Sequence, residues 1–280
     1  MVILMDKLKI PLTVLTFFIF IAIFIFYLTD NVFIIFNFLY IGSFVSSGIY
    51  LFTTGNKYGR SLVQWGVGIY MLVFLGIILQ ENMLISGFFF YLFLGVFQAA
   101  VIHFLVAKIL GPLLFGRGWC GYACWIGMVL DIFPYKVPKT HERVANLGLL
   151  RYVIFLLIFI SIALLFYFKV PDLHYTMFLV FVIGNLLYYI IGIILAYKFK
   201  DNRAFCKYVC PIVTFLKPFS YFSISRIKVN QETCTNCKQC INSCPMDVDI
   251  LDIKRSRKNG TECILCLECV KNCSTDSILL

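Results

Sequence analysis

Residues 234–245 read CTNCKQCINSCP and residues 263–274 read CILCLECVKNCS, so eight of the twelve cysteines share one spacing, Cys-x2-Cys-x2-Cys-x3-Cys. A tight loop of this kind supplies three thiolates to an iron–sulfur cubane, and the fourth comes from elsewhere. Where two such runs occur together, the last cysteine of each crosses to the other cluster. The spacing therefore predicts two [4Fe-4S] clusters, one held by Cys234, Cys237, Cys240 and Cys273, the other by Cys263, Cys266, Cys269 and Cys244. Zinc is the competing chemistry, because Cys-x2-Cys is also a zinc ligand pair. Zinc ribbons, however, use two separated pairs, whereas each run here packs its cysteines together. Ser274 follows the second run where Pro245 follows the first, and the ligand count is intact.

The other four cysteines form a second repeat. Residues 117–126 read RGWCGYACWI and residues 203–212 read RAFCKYVCPI, aligning Arg117 with Arg203, Cys120 with Cys206 and Cys124 with Cys210. On a helix, positions i and i+4 share one face, so each Cys-x3-Cys presents two thiols together. The four could hold a further metal or cluster, with Arg117 and Arg203 offsetting its charge, could cycle as redox dithiols, or could be buried thiols that bind nothing.

The elements that must position these cysteines are apolar. With 280 residues, 61% hydrophobic content and a mean hydropathy of +0.91, the chain belongs in a bilayer rather than in an ordinary globular domain. Uncharged stretches at 10–28, 32–52, 61–79, 83–107, 149–168 and 176–197 predict about six transmembrane helices. Lysines and arginines flank alternate ends of these stretches, from Lys7 and Lys9 through Lys57 and Arg60 to Arg117, Lys136, Lys139 and Arg143. The opposite loops carry Lys169 alone. Positive loops remain cytoplasmic, which predicts a multi-pass protein of the cell (inner) membrane with both termini and the cluster-binding segment in the cytoplasm. The first stretch has a basic start but no small-residue cleavage site, and reads as an anchor. The net charge of +10 is read as topology; no basic face with interleaved aromatics suggests nucleic acid.

The expected architecture is a transmembrane domain over 1–200 that includes the first Cys-x3-Cys, a connector over 201–222 with the second, and an α+β two-cluster domain over 223–280 whose first strand is 224–229. Inside the fourth stretch, His103 lies near Gln98. An ionisable residue at that depth is a functional candidate, as a hydrogen-bond partner for a quinone headgroup or as an interhelical tie. Asn37, Gln64 and Asn185 read as packing ties. The run KRSRK at 254–258 is solvated, or docks an acidic redox partner or anionic lipid headgroups. One membrane histidine cannot supply both axial ligands of a bis-histidine haem, so no haem is expected.

From Arg117 onward the sequence resembles the membrane-bound polyferredoxins, which carry two Cys-x3-Cys-Pro motifs followed by two [4Fe-4S] motifs. The resemblance is strongest at FCKYVCP and at the two cysteine runs, and the Cys273–Ser274 ending is similar to that of the quinol-oxidising subunit of periplasmic nitrate reductase systems. Two departures stand out: Trp125 occupies the proline position of the first motif, and two spans precede the usual core. The resemblance implies a membrane electron-transfer subunit, with membrane lipid around it, that links a quinone pool or soluble donor to a partner redox protein and has no substrate site of its own. Some relatives carry a flavin domain, for which the short outer loops have no room. An assembly factor that uses Cys120, Cys124, Cys206 and Cys210 to reduce or deliver a metal is the alternative.

Overall fold

The computed structural model describes residues 2–96, 99–141, 143–144 and 146–280, the side chains of 2–7 and 99 excepted. The protein is mostly helical and divides into two compact units. One comprises residues up to Tyr70 together with Tyr122–Trp125, the other Met71–Gly121 and Ile126–Leu280. Among the described residues, five helices are long and apolar enough to cross a membrane: Leu8–Thr29, Val32–Thr53, Gly59–Ile78, Leu147–Tyr167 and Leu173–Phe199.

In the first unit, Val2–Thr29 and Val32–Thr53 form a hairpin whose turn is fixed by Asn31, its side-chain oxygen accepting from the Phe33 amide at 3.0 Å. Ser46 donates to the Pro11 carbonyl at 2.9 Å, a polar tie between apolar helices. A methyl group on Gly59 would lie 2.5 Å from the Gly48 carbonyl oxygen, so the second and third helices meet backbone to backbone. Small residues serve this purpose where lipid offers no hydrophobic drive between helices.

In the second unit the stretch 83–107, expected as one long helix, is broken into two shorter apolar helices, Ile85–Leu94 and Ala100–Phe115. Residues 80–84 run inward beside the last long helix: Asn82 Nδ2 donates to the Met177 carbonyl at 3.0 Å, and Leu84 packs at Gly184. Helix Ile85–Leu94 then turns back, bringing the Tyr91 hydroxyl to Glu81 at 3.2 Å and the Phe90 ring to His174. Gly95, at φ 69°, ends it. Ten residues span about 15 Å, half a hydrocarbon core. Such a dip is tolerated at membrane depth only inside protein, and Ile85–Tyr91 are all buried. A second shorter apolar helix, Ala100–Phe115, follows, and its Leu105–Leu110 portion has the wider π geometry. Gln98 lies outside the described residues.

The α+β expectation for 223–280 is also corrected. Two-residue strands, Lys228–Val229 and Ile278–Leu279, pair antiparallel, and the rest is loops and short helices around a small core of Ile227, Cys240, Leu265, Cys269 and Ile278. Two short cluster loops offer too few residues for a sheet layer, and bound metal substitutes for a larger core.

Candidate iron–sulfur centre

Each cysteine run folds as a loop closed by a one-turn helix, Gln239–Asn242 in the first and Glu268–Lys271 in the second. The backbone repeats as well: Asn236, Lys238 and Asp247 have φ of 54°, 60° and 50°, and Leu265, Leu267 and Asp276 have 50°, 62° and 48°. Left-handed geometry is uncommon for bulky side chains. Its recurrence at matching positions marks loops shaped around a common guest, where strain is held by function.

The structure brings cysteines of the two runs together. Cys244, from the first run, lines one cavity together with Cys263, Cys266 and Cys269 from the second. The remaining wall is apolar, including Ile227, Met246, Val248 and Ile264. Burial pushes the Cys263 thiol up to about 12, and raises Cys269 and Cys244. Neighbouring sulfurs add to all three shifts, so an iron centre that takes up thiolate character relieves the crowding. Cys234 and Cys237 crowd Cys240 in the same way, and Cys273 packs against the core that contains Cys240. Among the described residues, no three His, Cys, Asp or Glu side chains could hold a single metal ion.

The Cys-x3-Cys pairs depart from the expected helix geometry. Cys120 lies in the short helix Gly118–Tyr122 and Cys206 in Ala204–Tyr208, but Cys124 and Cys210 fall beyond the helix ends. The proline ring accounts for the second break, since the residue before a proline, here Cys210 before Pro211, disfavours helix. Trp125 reproduces the break without proline: a new helix starts at Trp125, as one starts at Ile212. Cys120, Cys206 and Cys210 belong to the second unit and Cys124 to the first.

Both motif arginines are buried, each 1% exposed. Arg203 Nη1 donates to the Cys120 carbonyl at 3.4 Å and approaches Cys206 Sγ at 3.9 Å, while Nη2 pairs with Asp131. Burial raises the Cys206 thiol, and Arg203 and Arg117 oppose it. Arg117 feels Cys120, Cys206 and Cys210 and donates to Glu262 at 2.9 Å. Its Nε is buried without an acceptor, leaving a donor for a thiolate or sulfide.

Sequence reasoning missed the residues that fasten the cluster loops to these motifs. Glu262, beside Cys263, pairs with Arg117 at 2.9 Å, Arg143 at 3.4 Å, Arg151 at 3.2 Å and Lys217 at 2.7 Å. Burial pushes its carboxyl up, but the four cations outweigh that and hold it at about 2. On the other flank, Asp247 binds Lys207 at 2.5 Å and His141 at 3.0 Å, and Lys207 also binds Asp201 at 2.8 Å. The nearest sequence signal was position alone: Lys207 follows Cys206, and Glu262 precedes Cys263.

Between these flanks the backbones touch. A Cβ on Gly121 would lie 2.3 Å from the Ile264 carbonyl oxygen. Gly121→Ala is expected to push the Cys263 loop away from Cys120 and to lower stability by about 1–3 kcal/mol. The check is thermal melting, along with the width of the paramagnetic resonance signal from the cluster beside Ile264; the other cluster's signal should not change.

His103 is partly buried, with its ring near Phe104 and Trp119 at centroid separations of 5.8 and 6.2 Å. Its Nε2 is buried without a partner. Lys108, also buried, lies over Trp119 at 5.9 Å. Asn185 donates back to the Phe181 carbonyl of its own helix at 2.8 Å.

Comparison with known proteins agrees with this geometry. Residues 226–274 match the family model described as a 4Fe-4S dicluster domain, and residues 96–140 and 173–230 match one described as a 4Fe-4S binding domain. Two uncharacterized proteins of Methanocaldococcus jannaschii are similar. MJ0749 is 29% identical over 164 residues (55% of this chain, 61% of the relative), and MJ0750 is 32% identical over 162 residues (53% and 66%). The "Putative electron transport protein YccM" of Escherichia coli is 27% identical over 173 residues, 55% of this chain and 48% of the relative. The chain thus spans less than two thirds of the length of each of these relatives. No solved structure matches. Cysteine loops of cubane spacing lie inside the dicluster match; together the two family models show that two [4Fe-4S] clusters are the cofactors and, with the electron-transport relative, support an iron–sulfur electron-transfer role.

Proposed function

We propose that this chain carries electrons between its membrane-edge motifs and a soluble redox partner. Cys244, Cys263, Cys266 and Cys269 hold the inner cluster; Cys234, Cys237, Cys240 and Cys273 hold the outer one. When bound, the clusters supply one-electron transfer with little structural change. The observation that carries the reading is the contact of Gly121 with Ile264, which sets the Cys120 helix directly against the inner ligand loop. Cys237 and its neighbours from Thr235 to Gln239 are exposed, so the outer loop offers the face to a partner.

The finer reading follows the polyferredoxin resemblance: a quinone at the apolar helices as donor, His103 Nε2 at its headgroup, and the cluster-binding segment in the cytoplasm against the inner membrane. The helix Ala100–Phe115 supports this orientation, because it ends beside the motifs where the basic residues gather. Arg117 and Arg203 stabilise added negative charge at Cys120, Cys206 and Cys210, whether those thiols hold a further centre or cycle as a dithiol.

The test uses the full chain, purified without oxygen and reconstituted in lipid. Cys120→Ser combined with Cys206→Ser should leave both cluster signals intact and slow quinol-dependent reduction at least ~10-fold, about 1.4 kcal/mol of barrier. His103→Ala should slow the same step while leaving reduction by dithionite unchanged. Unchanged quinol kinetics in the double variant would overturn the route through these thiols. Copper or zinc retained at these cysteines would favour metal delivery instead.

A further inference from the structure

We propose that the cationic run at 254–258 and the apolar edge at 221–224 form a binding surface for anionic phospholipid headgroups. It rests on the chain's residence in a membrane and is independent of the electron route.

The edge is fastened to an apolar helix by backbone hydrogen bonds. The Ile224 amide donates to the Leu113 carbonyl at 3.0 Å and the Ser225 amide to Leu114 at 2.8 Å, which fastens this stretch to the last turn of the apolar helix Ala100–Phe115. Beside that helix end, Tyr221, Phe222 and Ile224 are 42%, 64% and 72% exposed, and Ile253 is 43% exposed. Apolar and aromatic side chains at this level meet the headgroup and upper acyl region, where tyrosine is favoured.

The charge lies against the same edge. Arg257 stacks over the Tyr221 ring at 5.9 Å, and its Nη1 donates to the Tyr221 carbonyl at 3.4 Å. Helix Ser256–Gly260 thereby packs on helix Ile212–Tyr221 and shares its level. Lys254, Arg255, Arg257 and Lys258 are exposed, and among the described residues only Arg255 has an ion pair, at 4.0 Å to Asp252. Clustered cations beside a membrane helix are attracted to anionic headgroups. The adjoining exposed apolar edge favours lipid over an acidic protein, because a phospholipid offers an anionic headgroup and an apolar chain side by side.

The full chain in nanodiscs of phosphatidylcholine, with or without added phosphatidylglycerol, gives the test. Backbone amides of 253–260 are expected to exchange hydrogen ~10-fold more slowly with phosphatidylglycerol present, and high salt should remove the difference. Replacing the run (K254Q, R255Q, R257Q and K258Q together) should abolish the protection while both cluster signals persist; F222S should weaken it. Equal exchange in the two lipids overturns the proposal, as does protection that survives high salt. Protection that arises only when a small acidic ferredoxin is added overturns it in favour of a protein partner.

Discussion

Replacing Glu262 with glutamine is expected to release the cluster-binding segment from the membrane-edge motifs, at a cost of roughly 3–5 kcal/mol. The size follows from burial. Glu262 is 9% exposed, and Arg117, among the cations it serves, is 1% exposed. Desolvating so many cations is costly, and the single carboxylate offsets that cost. A neutral amide keeps the shape but leaves Arg117, Arg151, Arg143 and Lys217 repelling one another around a dipole. The same change at Glu268 removes a pair with Lys271 whose side chains are 35% and 37% exposed, a contact worth at most about 1 kcal/mol. Glu262→Gln should therefore melt well below the parent and be cut rapidly by trypsin within 226–274, whereas Glu268→Gln should match the parent. Equal melting and equal trypsin resistance in the two variants would remove Glu262 from its role as fastener.

What the sequence made legible, and what it hid, follows from the range of the interactions. The cysteine runs were readable because ligation is local: three sulfurs in one loop must obey a spacing that cubane size dictates. The repeat around Cys120 and Cys206 was readable for the same reason. Glu262 was hidden because its partners come from the stretch between Arg117 and Lys217, and no local pattern joins them. The dip at 80–94 was hidden because averaged hydropathy registers neither the left-handed Gly95 nor the Asn82 side chain that satisfies backbone groups inside the fold. Helix periodicity misled at the Cys-x3-Cys pairs, where each helix ends before its second cysteine. Trp125 departs from the proline of the second motif, yet a helix starts there as one does after Pro211.

Removing Cys244 should discriminate between two ways of wiring the cluster loops. If each run closed its own cluster, Cys244→Ala would extinguish the same paramagnetic signal as Cys234→Ala. The cavity that Cys244 shares with Cys263, Cys266 and Cys269 predicts the crossed result: Cys244→Ala and Cys263→Ala lose one signal, Cys234→Ala and Cys273→Ala the other. Each variant should fall from about eight irons to about four. The crossed wiring also separates the mechanical consequences. Cys244 is followed by Met246, whose carbonyl accepts from Arg143 at 2.5 Å, and by Asp247 with its bonds to Lys207 and His141. Loss of the inner ligand set should thus loosen both flanks that fasten this segment to the motifs, and Cys244→Ala should become sensitive to trypsin as Glu262→Gln does. Cys234 lies on the exposed outer loop, so Cys234→Ala should lose iron and keep its docking. Iron loss and trypsin sensitivity that tracked each other equally in both variants would show that the two ligand sets are not arranged as inner and outer.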